Sequence, residues 1–263
     1  MKLKIYQIDA FTDKIFKGNY AAVIILDEWL DKKLMQAIAT ENNLSETAFA
    51  KKIANNNYEI RWFSPITEID FCGHATLATA YVLFEENQTL NEIIFETKTV
   101  GNLCIKKLEG DYIEMTFPNK KPKKVENIPI ELINGLSIKP KEVYINQQAY
   151  FIVYENENEV LNIKVDLEEI KKLAPRDVSI TSDSKTYDFI SRYFWPANGG
   201  IEDPVTGSIH TGLAPLWAEK LDKNELLAYQ ASMRGGLLKC IVSDDKVVIL
   251  GKAVKYLEGF IYI

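Results

Sequence analysis

The sequence predicts an α+β protein of two similar domains, each a mixed β-sheet or barrel wrapped around a central helix. Three observations lead to this fold class. A strand–loop–helix pattern occurs twice, segments typical of strands far outnumber helical ones, and each half has one long run of small, helix-compatible residues. A doubly wound parallel sheet would need strands and helices in regular alternation, which this chain lacks.

The repeated pattern lies in residues 61–80 and again in residues 192–218. In each copy a Phe-x-Pro step ends a strand, acids follow, and a glycine opens a run of small residues. These positions are Phe63, Pro65, Glu68, Asp70 and Gly73 in the first copy, and Phe194, Pro196, Glu202, Asp203 and Gly207 in the second. The second copy has three extra residues between its Phe and its glycine, counted as 13 positions against 10. Two such units indicate structurally related halves.

The first half, residues 1–118, reads as strands around one helix. Residues 31–39 predict an amphipathic helix with Leu34 and Ile38 facing inward. Small residues predict the long helix at 73–86. The predicted strands are 1–10, 21–26, a segment that follows the turn at 42–47, 58–63, 92–96, 102–108 and 111–117.

The second half, residues 119–263, follows a stretch at 118–129 rich in Lys and Pro, which is typical of a domain linker. Asp166 is a plausible N-cap for a helix at 167–173, and the second long helix is predicted at 207–221. The predicted strands are 150–154, 186–193, 225–228, 237–242, 246–250 and 259–263. The last strand must pair with another, and it can return to the first domain.

Composition excludes several function classes. The net charge of −6 argues against a general nucleic-acid surface, and the short basic cluster around Pro122 reads as a solvated linker. No apolar run reaches the length of a membrane span, so no membrane partner is expected. Three scattered cysteines do not make a disulfide framework, which favours a cytoplasmic location.

The two glycine-led helix starts predict an anion site. The first amides of a helix have no internal partner, and the helix dipole is positive there. A carboxylate or phosphate lying on Gly73, His74 and Ala75 would satisfy them, and Gly207 offers the same in the second copy. If the halves face each other, both helix starts would point into one cleft.

Six motifs together identify a family resemblance. They are GN-x-AAV at 18–23, LSETAF at 44–49, RWFSP at 61–65, CGHATLA at 72–78, EDPVTGS at 202–208 and RGG at 234–236. In this order, from residue 8 to about 254, they resemble the phenazine-biosynthesis PhzF-like isomerase family, which has a diaminopimelate epimerase-like fold. The resemblance implies two domains with a cleft between them, no cofactor, a small carboxylate substrate and a homodimer.

The resemblance also implies roles for individual residues. The catalytic acid/base of the family matches Glu46, and its supporting substrate contacts match His74, Asp203 and Ser208, with Gly73 and Gly207 at the helix starts. One departure is the residue after Gly-Asn, which is usually proline in the family. Here it is tyrosine, at position 20, where it can alter substrate choice without touching the acid/base.

The residues themselves point to proton transfer rather than metal chemistry. In a strand, Glu46 shares a face with Leu44 and Ala48, so a carboxylate kept dry there could take and return a carbon-bound proton. Only two histidines occur, with no CxxC or HExxH spacing, so no metal site is predicted. His74 is better placed as a hydrogen-bond donor or a proton relay.

Two other functions stay open. The first is a racemase or epimerase that uses two thiols, with Cys72 as one of them, although the second copy offers Asp203 and no cysteine nearby. Cys72 also fits a buried apolar role. The second is a small-molecule binding protein without turnover.

Asp203 itself has an ordinary alternative role, which is to cap the following helix. Loops such as 12–20 and 196–201 would select the substrate, which the sequence does not identify.

Overall fold

Seventeen strands and six helices make up the chain, and a computed structural model describes every residue from Met1 to Ile263. The chain divides into two compact units. The first comprises residues 1–116 and 250–263, and the second comprises residues 117–249. No helix combines the length and the apolar character that crossing a membrane would require.

The elements alternate between long strands and a few short helices. Those up to residue 118 are β1 (Lys2–Ala10), β2 (Asn19–Leu26), α1 (Lys32–Asn42), β3 (Glu46–Ala54), β4 (Asn57–Phe63), β5 (Glu68–Ile69), α2 (Gly73–Glu86), β6 (Glu92–Glu96), β7 (Asn102–Lys107) and β8 (Ile113–Pro118). The others are β9 (Lys123–Lys124), α3 (Ile130–Gly135), β10 (Glu142–Ile145), β11 (Ala149–Val153), α4 (Glu157–Asn162), α5 (Leu167–Lys171), β12 (Asp177–Asp183), β13 (Phe189–Phe194), α6 (His210–Leu221), β14 (Glu225–Gln230), β15 (Gly236–Val242), β16 (Lys246–Gly251) and β17 (Ala253–Tyr262).

In the first unit the sheet curls around α2. The strands follow the order β17, β1, β2, β3, β4, β6, β7 and β8, and the pairs β2–β3 and β4–β6 are parallel while the others are antiparallel. Helix α2 contacts β17 and β1 near one end of this order and β7 near the other. Nearly every side chain from Gly73 to Phe84 is therefore buried, as expected for a helix that is apolar on all sides.

The second unit repeats this arrangement around α6. Its order is β9, β10, β11, β12, β13, β14 and β15, and again only the third and fifth pairs, β11–β12 and β13–β14, are parallel. Trp217 of α6 stacks on Phe189 of β13 at 5.9 Å and donates a hydrogen bond to Thr181 of β12 at 2.9 Å. The prediction of two similar domains, each wrapped around a helix, is confirmed.

Strand register gives the residue-by-residue correspondence between the units. Thr47 lies opposite Phe63 as Val178 lies opposite Phe194, so Glu46 and Asp177 occupy equivalent positions at the starts of β3 and β12. Next, Phe63 pairs with Glu68, and Phe194 pairs with Glu202. The three extra residues of the second copy therefore lie between Phe194 and Glu202, where the chain forms a short 3-10 turn, Pro196–Asn198.

The predicted helices agree closely with the structure. Helix α2 has the predicted bounds, and Asp166 caps α5 by accepting from the amides of Glu168 and Glu169. Helix α6, however, begins at His210 instead of residue 207. The amide of His210 bonds to the carbonyl of Gly207 at 3.1 Å, three residues back, so the first turn is tighter than an α-helix.

Strand β12 and the two ends of the second half differ from the prediction. The sequence DVSITSD is polar and does not predict a strand, yet six of its seven residues are buried. The Lys- and Pro-rich stretch contains β9 within it. The last strand is longer than the predicted 259–263, and it pairs with β1 along its length.

Candidate active site

The first unit brings Glu46 and His74 into direct contact. Glu46 is the first residue of β3, and His74 is the second residue of α2. His74 Nε2 lies 2.8 Å from Glu46 Oε2, and the two side chains are only 7% and 12% exposed. Oε2 of Glu46 is buried and, apart from this contact with His74, has no hydrogen-bond partner. A carboxylate oxygen with an unused lone pair is what a base needs.

The other side of the His74 ring is held by Asn19. Asn19 Nδ2 lies 3.2 Å from His74 Nδ1, and Ser45 Oγ donates to Asn19 Oδ1 at 3.2 Å. The residue before Asn19 must be a glycine, because the φ of Gly18 is +66° and a Cβ there would lie 2.1 Å from the carbonyl oxygen of Ala10. Asn19 was not among the predicted site residues, although the Gly-Asn pair in the sequence marks the position.

The contacts of His74 allow it to carry or release a proton. When Nδ1 accepts from Asn19, the ring is neutral and its proton lies on Nε2, beside Glu46. When the ring is protonated, Nδ1 can instead donate to Cys72 Sγ, 3.4 Å away. Burial by itself lowers the pKa of His74, but the Cys72 sulfur, as a hydrogen-bond acceptor of the protonated ring, and the Glu46 carboxylate outweigh it and raise that pKa well above its usual range. Both protonation states are thus supported by the surroundings.

Cys72 is a buried thiol rather than a ready base. It precedes α2 and provides no side-chain cap to the helix amides. Burial, and then the charge of Glu46, raise the pKa of Cys72 to about 11, against weaker opposing effects of His74 and the Ala75 amide. At neutral pH the group therefore stays protonated, which disfavours a thiolate mechanism.

Three side chains of this cluster could also hold a metal ion in geometric terms. Glu46, Cys72 and His74 offer one ligand atom each, all within 4.8 Å of one another. The sequence motifs predict no metal, and the direct contact between Glu46 and His74 accounts for the cluster without one.

The second unit holds Asp203 and the second helix start. Thr206 donates its hydroxyl hydrogen to Asp203 Oδ2. The fully buried Gln230 ties the loop, donating to the Asp203 carbonyl at 2.8 Å and accepting from the Thr206 amide at 2.9 Å. Gly207 and Ser208 follow in the turn before α6. The side chain of Asp203 does not cap α6, whose N-cap, Ile209, makes no side-chain hydrogen bond.

Ser208 is hydrogen-bonded to a further group of polar side chains. Gln148 Nε2 contacts Ser208 Oγ at 2.9 Å and Tyr193 Oη at 3.3 Å, and Tyr193 in turn donates to Asp177. Asn198 donates to the other oxygen of Asp177 at 2.9 Å. The sequence does not predict this group, because its members come from four separate segments and β12 has no strand-like pattern.

The repeated acids Glu68 and Glu202 have a structural role. Arg61 Nε donates to Glu68 Oε1, and Arg192 Nε donates to Glu202 Oε1, both at 2.7 Å. Arg61, followed by Lys32 and Lys98, lowers the pKa of Glu68 to about 2 despite partial burial. By the register, Asp203 corresponds to Ile69 rather than to an acid. Asp203 is therefore particular to the second unit.

Comparison with known proteins gives consistent results. Residues 8–259 match the family described as phenazine biosynthesis-like protein. An uncharacterised isomerase of Halalkalibacterium halodurans is 47% identical, with 98% of each chain covered. A crystal structure of a PhzF family protein from Enterococcus faecalis is 41% identical, with a TM-score of 0.95 and 100% of both chains covered. A hydroxyproline epimerase of Agrobacterium vitis shares the fold, at 10% identity and a TM-score of 0.58, with 99% of this chain and 92% of that chain covered.

Proposed function

This chain belongs to the phenazine biosynthesis-like (PhzF) family and is an isomerase, and we propose that it moves a proton within a small carboxylic acid without a cofactor. Glu46 is the acid/base in this proposal. The observation that carries it is the buried Glu46 oxygen, which lies 2.8 Å from His74 and has no other hydrogen-bond partner.

A single carboxylate suffices for this reaction. The reaction requires a substrate with a C=C bond next to the C–H group: Glu46 takes the proton from one carbon, the electron pair of that C–H bond forms a new C=C bond, and the electrons of the original C=C bond become available to bind a proton at a second carbon. The resulting carboxylic acid returns the proton to a second carbon, so Glu46 ends as a carboxylate and the substrate gains and loses nothing overall. His74 balances the charge of Glu46 and holds it in place during both transfers.

The remaining predicted residues would recognise the substrate. Gly73, His74 and Ala75 form the uncapped first turn of α2, which suits a carboxylate. Asp203 and Ser208 are polar groups at the corresponding start in the second unit. That both sets act on one substrate in a cleft, that the enzyme is a homodimer, and that it is cytoplasmic stay predictions.

The two-thiol alternative has less support. Cys72 is buried and its pKa is raised to about 11. Its counterpart in the second unit is Thr206: His210 Nδ1 bonds to the Thr206 carbonyl at 2.8 Å as Thr76 Oγ1 bonds to the Cys72 carbonyl at 2.6 Å. A second thiol is therefore missing from the equivalent position.

Glu46→Gln is the direct test. The amide has the same shape but cannot exchange a proton, so we expect turnover to fall by about 10²–10⁴-fold while folding is nearly unchanged. Exchange of C–H protons with D2O, followed by proton NMR over a panel of small carboxylic acids, finds a substrate and measures the rate. Glu41→Gln, the same change at an exposed residue of α1, is the matched control and should keep the wild-type rate.

Cys72→Ala distinguishes the two mechanisms. It should retain most activity if Glu46 is the only base and lose nearly all of it if two thiols are needed. A Glu46→Gln enzyme that exchanges at the wild-type rate, beside an inactive Cys72→Ala enzyme, would overturn the proposal. Binding of a carboxylic acid without any exchange would instead support a binding protein.

A further inference from the structure

Asp177 is the counterpart of Glu46, and the second unit uses it differently. Each is the first residue of its strand, and the residues after them, Thr47 and Val178, lie opposite equivalent phenylalanines. Glu46 reaches the residue after the helix glycine, His74, directly at 2.8 Å. Asp177 has a shorter side chain, and its link to Ser208, the counterpart of His74, passes through two other side chains.

These contacts form a continuous chain of hydrogen bonds from Asp177 to Ser208. Tyr193 donates its hydroxyl hydrogen to Asp177, and Gln148 Nε2 lies 3.3 Å from Tyr193 Oη and 2.9 Å from Ser208 Oγ. Asn198 donates to the second Asp177 oxygen at 2.9 Å. Asp177 is buried, with 8% of its surface exposed, and Tyr193 is 5% exposed.

The ionised Asp177 carboxylate determines the direction of each hydrogen bond between Asp177 and Ser208. Burial raises the pKa of Asp177, while the hydrogen bonds of Tyr193 and Asn198 favour its ionised form. An ionised carboxylate only accepts hydrogen bonds, so with Asp177 ionised the single hydroxyl hydrogen of Tyr193 points to Asp177. Burial and the charge of Asp177 raise the pKa of Tyr193 above its usual range, so the phenol keeps this hydrogen. Tyr193 can then only accept from Gln148, which must present its NH2 group.

The same NH2 group of Gln148 determines whether the Ser208 hydroxyl accepts or donates a hydrogen bond on this side. An amide nitrogen carries two hydrogens, and Gln148 Nε2 directs one to Tyr193 and the other to Ser208 Oγ. Ser208 therefore accepts on this side, and its own hydroxyl hydrogen is left to be donated elsewhere.

We propose that Asp177, Tyr193 and Gln148 are positioning residues that hold the Ser208 hydroxyl as a hydrogen-bond donor toward an anionic group of the substrate. This inference rests on the proposed function, in which Ser208 contacts a carboxylate. It explains why a carboxylate is buried at a position where the first unit has its acid/base. It also gives a role to the three-residue insertion, whose turn supplies Asn198.

Neutron diffraction from crystals grown in D2O tests the hydrogen-bond directions without any knowledge of the substrate. We expect the Tyr193 deuteron on the side of Asp177, both Gln148 deuterons directed to Tyr193 and Ser208, and the Ser208 deuteron pointing away from Gln148. A Ser208 deuteron directed to Gln148, or an Oε1 atom of Gln148 facing Tyr193, would overturn the proposal.

Malonate, a small dicarboxylate, is the binding probe, with calorimetry as the measurement. Ser208→Ala should weaken malonate binding about tenfold, as expected for the loss of a hydrogen bond to a charged group. Tyr193→Phe should weaken it by about three- to tenfold, since Gln148 is no longer held in one orientation. Tyr154→Phe is the matched control: this buried Tyr of the same unit donates to the Ile138 carbonyl at 3.0 Å and is not part of the hydrogen bonds that link Asp177 to Ser208, so the change should not alter binding.

A double-mutant cycle separates positioning from general damage to the fold. In the Ser208→Ala background, Tyr193→Phe should cause no further loss of malonate affinity, because its effect acts through Ser208. Additive losses, or equal behaviour of Tyr193→Phe and Tyr154→Phe, would contradict the inference. A wild-type enzyme that does not bind malonate would contradict carboxylate recognition in the proposed function, and the deuteron positions would still decide the direction of the chain.

Discussion

His74 is surrounded by groups that favour its protonated form although it is buried. Glu46 lies 2.8 Å from one ring nitrogen and Cys72 lies 3.4 Å from the other. Burial lowers the pKa of His74, but the Cys72 sulfur as a hydrogen-bond acceptor and the Glu46 carboxylate together raise it well above its usual range. His210, the only other histidine, has no such partner, and burial lowers its pKa to about 4. We therefore expect the contributions of the two histidines to the free energy of unfolding to change in opposite directions with pH.

Protonated His74 should stabilise the fold in a defined pH window. A pKa raised on folding contributes stability that is complete below the unfolded value, about 6.5, and is lost as the pH rises through the folded value. We expect the wild type to exceed His74→Gln in free energy of unfolding at about pH 6, and the difference to shrink as the pH is raised into the alkaline range. Urea denaturation at each pH measures this difference.

His210→Gln provides the control with the opposite sign. Because the pKa of His210 is lower in the folded state, its stabilising effect is present above about pH 6.5 and declines as the pH falls. The difference between the wild type and His210→Gln should therefore grow with pH. A stability difference for His74→Gln that grows in the same way would show that the charge balance around His74 is misassigned.

The helix α6 packs so closely on the sheet that one position excludes any side chain. A Cβ added at Gly212 would lie 2.5 Å from Phe151 Cζ and 2.9 Å from Asn146 Nδ2. Phe151 is fully buried, so its ring cannot easily move aside. The small residues of the repeated motif thus serve helix–sheet packing as well as the site.

Gly212→Ala tests this packing. Alanine gains about 1 kcal/mol in helix propensity, but overpacking a buried ring typically costs about 1–3 kcal/mol, so we expect a net loss of stability. Gly259→Ala in β17 is the control, because the nearest atom to its new Cβ is Leu257 Cδ2 at 3.9 Å. Thermal unfolding compares the two variants with the wild type. A higher midpoint for Gly212→Ala would mean that α6 can shift away from Phe151.

The last strand leaves large aromatic side chains exposed. Along β17, Tyr256, Phe260 and Tyr262 are 46%, 52% and 76% exposed, and Phe16 packs edge-on against Tyr256 with ring centres 5.4 Å apart. Exposed aromatic residues are enriched in protein–protein interfaces, and here charged side chains lie among them: Lys2 Nζ is 3.9 Å from the centre of the Phe260 ring. This patch agrees with the homodimer implied by the family resemblance, and we propose it as the dimer contact.

Light scattering after size-exclusion chromatography tests the assembly. We expect the wild type to elute with the mass of a dimer, and Phe260→Lys to shift toward the monomer because a charge is placed in the contact. Ile66→Lys changes another exposed apolar residue of the same unit, 81% exposed and outside the aromatic patch, and should leave the mass unchanged. A wild type that is monomeric at all concentrations would exclude this interface.

The repeat, the two central helices and the α+β class were determined by the sequence itself. Those features depend on local patterns, such as the small residues of 73–86 and the Phe-x-Pro steps, which remain readable before the chain folds. Glu46 and His74 could also be named, and the structure places them in contact. Each of the two residues lies in a sequence motif at the start of a strand or helix. Such starts are marked by neighbouring residues, so they can be predicted from the sequence.

Only the tertiary structure decided the role of β12 and Asp177. The polar sequence DVSITSD becomes a buried strand because β11 and β13 satisfy its backbone on both sides and Thr181 finds partners in Ile190 and Trp217. The chain of hydrogen bonds from Asp177 to Ser208 joins segments up to 60 residues apart. No local pattern predicts such contacts, since each polar group there is satisfied only by partners that folding brings to it.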